Sequence, residues 1–72
     1  MKAREVSVSD DELTALLADG RKISVPLVWF PRLLHATAEE RQNFEVLGDG
    51  EGIHWPDIDE DLSVAGLLRA GA

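Results

Sequence analysis

Residues 54–61 read HWPDIDED, placing the four carboxylates of Asp57, Asp59, Glu60 and Asp61 close to an imidazole and an indole. Three chemistries use such a set: metal binding, carboxylate acid–base catalysis, and electrostatic locking of a turn. A calcium loop fits only in part. Asp57, Asp59 and Asp61 take its first, third and fifth places, but Leu62 stands where the turn needs glycine and Leu68 where the shell needs a bidentate glutamate. A transition-metal site would need His54 with carboxylates and a second histidine such as His35, and thiolate sites are excluded because the chain has no cysteine. We therefore expect no metal and no cofactor.

Catalysis by a carboxylate pair requires a cleft that separates two pKa values, and a 72-residue chain has little material for one. Ser7, Ser9, Ser24 and Ser63 lack the glycine-elbow setting of a nucleophile, and the glycine-rich GDGEG stretch is acidic, which repels phosphate. The expectation is a chain that is not an enzyme. In the third reading, Asp57, Asp59 and Asp61 precede a helix and favour its exposed N–H groups, while Arg32 and Arg41 reach them with bidentate forks. An arginine–carboxylate network tying the middle of the chain to its end is the preferred account.

Charge separates the two halves. Residues 1–41 carry six bases against seven acids, whereas residues 42–72 carry Arg69 against Glu45, Asp49, Glu51, Asp57, Asp59, Glu60 and Asp61. Such a surface repels phosphate backbones and anionic lipid and attracts a basic protein, so neither autonomous nucleic-acid binding nor membrane binding is expected. The start MKAREVSVSD lacks the apolar core of a signal peptide and no apolar run reaches about 18 residues. A cytoplasmic location is the expectation.

The elements that must position these groups follow from periodicity. REVSVS alternates as a half-buried strand. ELTALLA and RKISVPL flank Asp19-Gly20, the pattern of a two-residue type I′ hairpin, which sets Leu16 opposite Ile23 and Thr14 opposite Val25 on the core face. Leu13, Ala15 and Leu17 then take the opposite face. Pro26 ends the third strand, Pro31 opens a short helix through PRLLHA, and Thr37-Ala-Glu-Glu40 has capping-box spacing for a second, reaching about Asn43. FEVL and GIHW flank the glycine loop as another hairpin, stopped by Pro56. LSVAGLLRA forms a last helix behind Asp61 and Ser63.

Strands grouped in this way give an α+β fold. It is one domain over residues 1–72, a small antiparallel sheet of two hairpin-like units plus an N-terminal strand, with two or three short helices. Four aromatic residues, Trp29, Phe30, Phe44 and Trp55, exceed what so small a core takes in, and one tryptophan is expected at the surface. The small core and the apolar second face of the first hairpin also raise a homodimer.

The series L-x-DGR-x-I-x-VPL-x-WFPRLLHAT-x-EER-x-NF, followed by G-x-GIHWPDIDEDLSVAGLL, resembles the bacterial family known as domain of unknown function 2442. The resemblance runs from about residue 6 to residue 69 through Asp19, Gly20, Arg21, Pro26, Leu27, Trp29, Pro31, Arg32, Leu33, Ala36, Arg41, Trp55, Pro56, Asp59, Glu60 and Leu62. It implies a small α+β domain, in some members followed by a helix-turn-helix region, and a gene setting similar to a toxin–antitoxin pair. It implies no activity and no cofactor. The resulting expectation is an acidic protein–protein interaction module, the antitoxin-like partner of a basic protein encoded nearby. Trp29, Arg32, Arg41, Trp55, Asp57, Asp59, Glu60 and Asp61 are its candidate contact or structural network, with Trp55 and the four acids on the contact surface. The alternatives are a regulatory domain that acts with a helix-turn-helix partner, and a purely structural small domain.

Overall fold

The computed structural model describes residues 2–71. Six strands form two three-stranded antiparallel sheets, and three short α-helices complete an α+β fold. The first sheet joins β1 (Ala3–Val8), β2 (Glu12–Leu17) and β3 (Lys22–Pro26), with β2 central. A 3-10 turn at Leu27–Trp29 leads to α1 (Pro31–Leu34) and α2 (Ala38–Gln42). The second sheet joins β4 (Glu45–Leu47), β5 (Gly52–Trp55) and β6 (Glu60–Ser63), and α3 (Val64–Gly71) follows.

The first hairpin forms where Asp19-Gly20 places it, but with a register one residue away from the expected one. Leu17 donates to the Arg21 carbonyl at 2.7 Å and accepts from Gly20 N–H at 3.0 Å, which leaves a three-residue loop of Ala18, Asp19 and Gly20. A type I′ turn would need positive φ at Asp19 as well, and only Gly20 supplies it, at 93°. Asp19 instead turns its carboxylate onto the Arg21 N–H at 3.0 Å and the Arg21 Nε at 2.7 Å. Leu13 therefore faces Val25 and Ala15 faces Ile23. A slip of one residue exchanges the faces of a strand. Leu13, Ala15 and Leu17 are the buried side chains, while Thr14 and Leu16 look outward and Thr14 shares a 3.0 Å hydrogen bond with Ser24.

Two of the three helices start as their caps dictate. Thr37 Oγ1 accepts from Glu40 N–H at 3.1 Å and Glu40 Oε1 accepts from Thr37 N–H at 2.9 Å, a complete capping box. Ser63 Oγ accepts from Gly66 N–H at 2.9 Å and opens α3. The strand β6 is an addition to the sequence expectation. Its pairing of Leu62 with Ile53 and of Glu60 with Trp55 separates the aspartates from the helix that follows. Asp57 and Asp59 thus lie in a hairpin loop, Asp61 lies within β6, and the α3 N-terminus is capped by Ser63 without them.

The core draws on both sheets. Val8, Leu13 and Val25 from the first pack with Ile53 and Trp55 from the second, and Leu27, Leu33 and Leu67 complete the cluster. A second, smaller cluster of Ala15, Leu17 and Val64 seats α3 against the first hairpin. A backbone contact ties the sheets at their margin, Ala3 N–H donating to the Gly50 carbonyl at 2.7 Å, while Val64 N–H donates to the Glu51 carbonyl at 2.9 Å and extends the β5–β6 ladder into the start of α3. Among the described residues no helix is long and apolar enough to cross a membrane.

Two predictions follow from these loops. Gly50 has φ of 100°, and a Cβ there would overlap the Ala3 carbonyl oxygen, whereas Gly48 has φ of 60° and open space around it. Gly50→Ala should lose about 3 kcal/mol in urea denaturation and Gly48→Ala only about 1 kcal/mol; equal losses would contradict the close approach. The Arg21 N–H bond holds the Asp19 carboxyl below its ordinary value against an opposing desolvation, and the Arg21 guanidinium lowers it further. Because the folded value is the lower one, the stability it adds is present above the unfolded value and vanishes as pH falls through the folded value. The stability gap between the wild-type chain and Asp19→Asn should close below about pH 4, as followed by denaturation at stepped pH.

Candidate functional site

The acidic stretch is a four-residue hairpin loop, Pro56 to Asp59, closed by the pairing of Trp55 with Glu60. Pro56 ends β5 because it has no N–H to give a ladder. Asp59 adopts φ of 51°, a left-handed conformation that aspartate tolerates better than most residues. Ile58 turns inward against the main cluster while Asp57 and Asp59 point to solvent, so one apolar side chain fastens the loop and the acids stay outside.

Both arginines do reach across the chain, but they meet carbonyl oxygens where carboxylates were expected. Arg32 donates from Nη1 to the Asp59 carbonyl at 2.6 Å, which fixes α1 to the loop through the backbone. Arg41 donates from Nε to the Leu33 carbonyl at 2.9 Å and from Nη2 to the Leu34 carbonyl at 2.7 Å. These carbonyls lie at the end of α1, where a cation is favoured; that of Leu33 also accepts from the Ala36 N–H at 3.3 Å. The carboxylate that Arg41 approaches is that of Asp10, at 3.8 Å, and Asp10 is fully exposed. The reason is spatial. α1 ends next to α2, so its last carbonyls lie within reach of the guanidinium fork, and β6 keeps the aspartates away.

Trp55 is removed from the contact surface altogether. It is fully buried, its indole N–H donates to the Arg41 carbonyl at 3.0 Å, and its ring packs at a tilt on Phe44 with centroids 6.0 Å apart. The tryptophan at the surface is Trp29, 49% exposed, beside Val28 at 64%. The order of apolar residues gave no sign of which tryptophan turns outward, because only the brevity of the 3-10 turn decides it.

The acids are distributed as follows. Asp57 Oδ2 accepts from Asn43 Nδ2 at 2.9 Å, Glu60 Oε1 accepts from Asp61 N–H at 3.2 Å, and Asp61 Oδ1 lies 2.6 Å from His54 Nδ1 across the β5–β6 ladder. Asp49 meets Lys2 at 3.3 Å. Among the described residues no lysine or arginine side chain pairs with the carboxylates of Glu45, Glu51, Asp57, Asp59 or Glu60. Nor does any group of three or more histidine, aspartate and glutamate side chains converge among them as a metal would require. A depression of about 350 Å³ lies elsewhere, on the outer face of the first sheet among Glu5, Ser7, Thr14, Leu16 and Lys22, and a wider one of about 480 Å³ lies along α2 among Ala38, Glu39, Gln42 and Asn43.

Arg41 carries the most weight in this arrangement, since its side chain is only 12% exposed and two carbonyls depend on it. Arg41→Ala should cost about 3 kcal/mol, and Arg41→Lys about half of that, because one ammonium does not reproduce a fork that spans two carbonyls. Arg32→Ala, which removes a single exposed bond, should cost below about 1 kcal/mol. Urea denaturation of the three variants checks the order, and equal losses at positions 32 and 41 would refute it.

No curated protein matches the chain. A crystal structure of a protein of unknown function from Rhodospirillum rubrum is similar to it, with a TM-score of 0.80 and 28% identity over 96% of this chain and 86% of that one. Residues 3–72 match the family described as Protein of unknown function (DUF2442), and over that length, nearly the whole sequence, the chain belongs to this family.

Proposed function

We propose that the chain is a non-catalytic interaction module that binds a basic protein, in the manner of the acidic member of a toxin–antitoxin pair. The observation that carries this reading is the fate of the acids in the second half. Glu45, Asp49, Glu51, Asp57, Asp59 and Asp61 are exposed and Glu60 is half-buried, while the sequence offers no lysine or arginine between Arg41 and Arg69 to balance them. Both arginines that reach toward this region spend their donors on carbonyls. Apart from Asp49, which meets Lys2, and Asp61, which meets His54, these carboxylates are held on a folded frame without a basic side chain beside them among the described residues. A surface of this kind steers a cationic protein and discourages an anionic one.

The reading is tested by co-expression with the protein encoded next to it, purification on a tag carried by this chain, and elution in increasing salt. A complex formed at about 0.05 M salt should dissociate by about 0.5 M, where the screening length falls to about 4 Å. Failure of the neighbour to co-purify, or retention unaffected by salt, would count decisively against it.

A further inference from the structure

We infer that the Val28–Trp29 turn is the point at which this basic partner docks, and that the docking segment places an arginine or lysine beside an apolar residue. The inference rests on the proposed basic partner and adds where it binds and what it presents. Val28 and Trp29 are 64% and 49% exposed, the two most exposed large apolar residues described, and they are neighbours in sequence. Their backbone is fixed on every side. Pro26 precedes the turn and Pro31 follows it, Phe30 N–H donates to the Leu27 carbonyl at 2.8 Å, and Leu27 itself is fully buried. A rigid indole held outward loses little freedom on binding, which is the character of an interface anchor.

Two acidic turns flank this anchor. Leu27 N–H donates to the Asp11 carbonyl at 2.9 Å, bringing the Asp10–Asp11 turn to one end of the segment, and Arg32 donates to the Asp59 carbonyl at 2.6 Å, bringing the Asp57–Asp59 loop to the other. All four aspartates are exposed. A guanidinium or ammonium paired with either turn, with an adjacent apolar side chain over Val28 and Trp29, gives a docking segment of this composition. A second copy of this chain is a poor occupant, because its own aspartates would face their equivalents across a surface of net charge −7 per chain.

Fluorescence anisotropy with labelled synthetic peptides tests the inference. The probes are peptides of about eight residues that alternate arginine with leucine, arginine with serine, or glutamate with leucine. The arginine–leucine peptide should bind the wild-type chain best. Trp29→Ala and Val28→Ser should each weaken it by about tenfold or more, while Leu47→Ser, at the exposed β4 strand, should not. Melting curves establish that each variant folds, and Val28→Ser guards against a packing effect of the larger deletion at Trp29. Binding indifferent to both turn variants, but lost in Glu45→Gln with Glu51→Gln, moves the contact to the second sheet; that outcome overturns the inference and leaves the basic-partner reading in place. Equal binding of the glutamate–leucine peptide overturns the inference as well. Light scattering that shows a dimer abolished by Trp29→Ala assigns the turn to a second copy and likewise overturns it. If neither arginine peptide binds, both the inference and the function proposed above fall.

Discussion

Arg41 joins three elements, α1, its own helix α2 and β5, through polar links that add to the shared core. Its guanidinium takes the Leu33 and Leu34 carbonyls at the end of α1, and its own carbonyl takes the Trp55 indole N–H from β5. A helix of four residues cannot hold itself in water, because nucleation costs more than so few hydrogen bonds return. α1 persists because Leu33 is buried and because a cation sits on its last carbonyls. Trp55 in turn enters the core with its polar atom satisfied, and no buried side-chain nitrogen or oxygen among the described residues lacks a partner. The polar links and the apolar cluster thus support the same placement of the second sheet.

This use of arginine has an electrostatic consequence. A guanidinium bonded to carbonyl oxygens stabilises backbone dipoles and neutralises no carboxylate, so the chain gains structural links without diminishing its surface charge. Arg32 acts in the same way at Asp59, gripping the acidic loop by its backbone and leaving the carboxylate to solvent. Exposed ion pairs contribute little to stability in any case. The fold therefore depends on arginine-to-carbonyl bonds and on burial, and the carboxylates of Asp57 and Asp59 stay at the surface. Rigidity of the loop and availability of its charge are compatible because different atoms serve each.

The hydrophobic anchors lie close to the acids for a related reason. Leu27, Leu33 and Ile58 point inward from segments whose neighbouring residues, Val28, Trp29, Asp57 and Asp59, are forced outward by the tightness of the turns. In a chain of this size the core fills with about one side chain in each turn, and the next residue must face water whatever its type. Polar residues take most such places. Val28 and Trp29 are apolar, and with Val46 and Leu47 of β4 they are places where the surface departs from what solubility alone would select.

Much of the frame was legible from local chemistry. The Thr37–Glu40 box, Pro31 at the start of α1, the stop at Pro56, the Ser63 cap and the glycine loops act over four residues or fewer, so the sequence by itself determined the α+β class and the order of the elements apart from β6. It also determined the family and the charge imbalance, which are properties of the residues alone. Register, pairing and orientation were decided only in three dimensions. Whether the loop at Asp19-Gly20 holds two residues or three depends on the φ of Asp19, and that choice sent Leu13, Ala15 and Leu17 inward in place of Thr14 and Leu16. The strand β6 carries a single large apolar residue, Leu62, and exists because β5 offers it a pairing edge. The arginines found carbonyls because the end of α1 is nearer to Arg41 than any aspartate of the loop. An ion pair can be guessed from two opposite charges, but every backbone carbonyl is an acceptor, and which of them a guanidinium meets is fixed by packing alone.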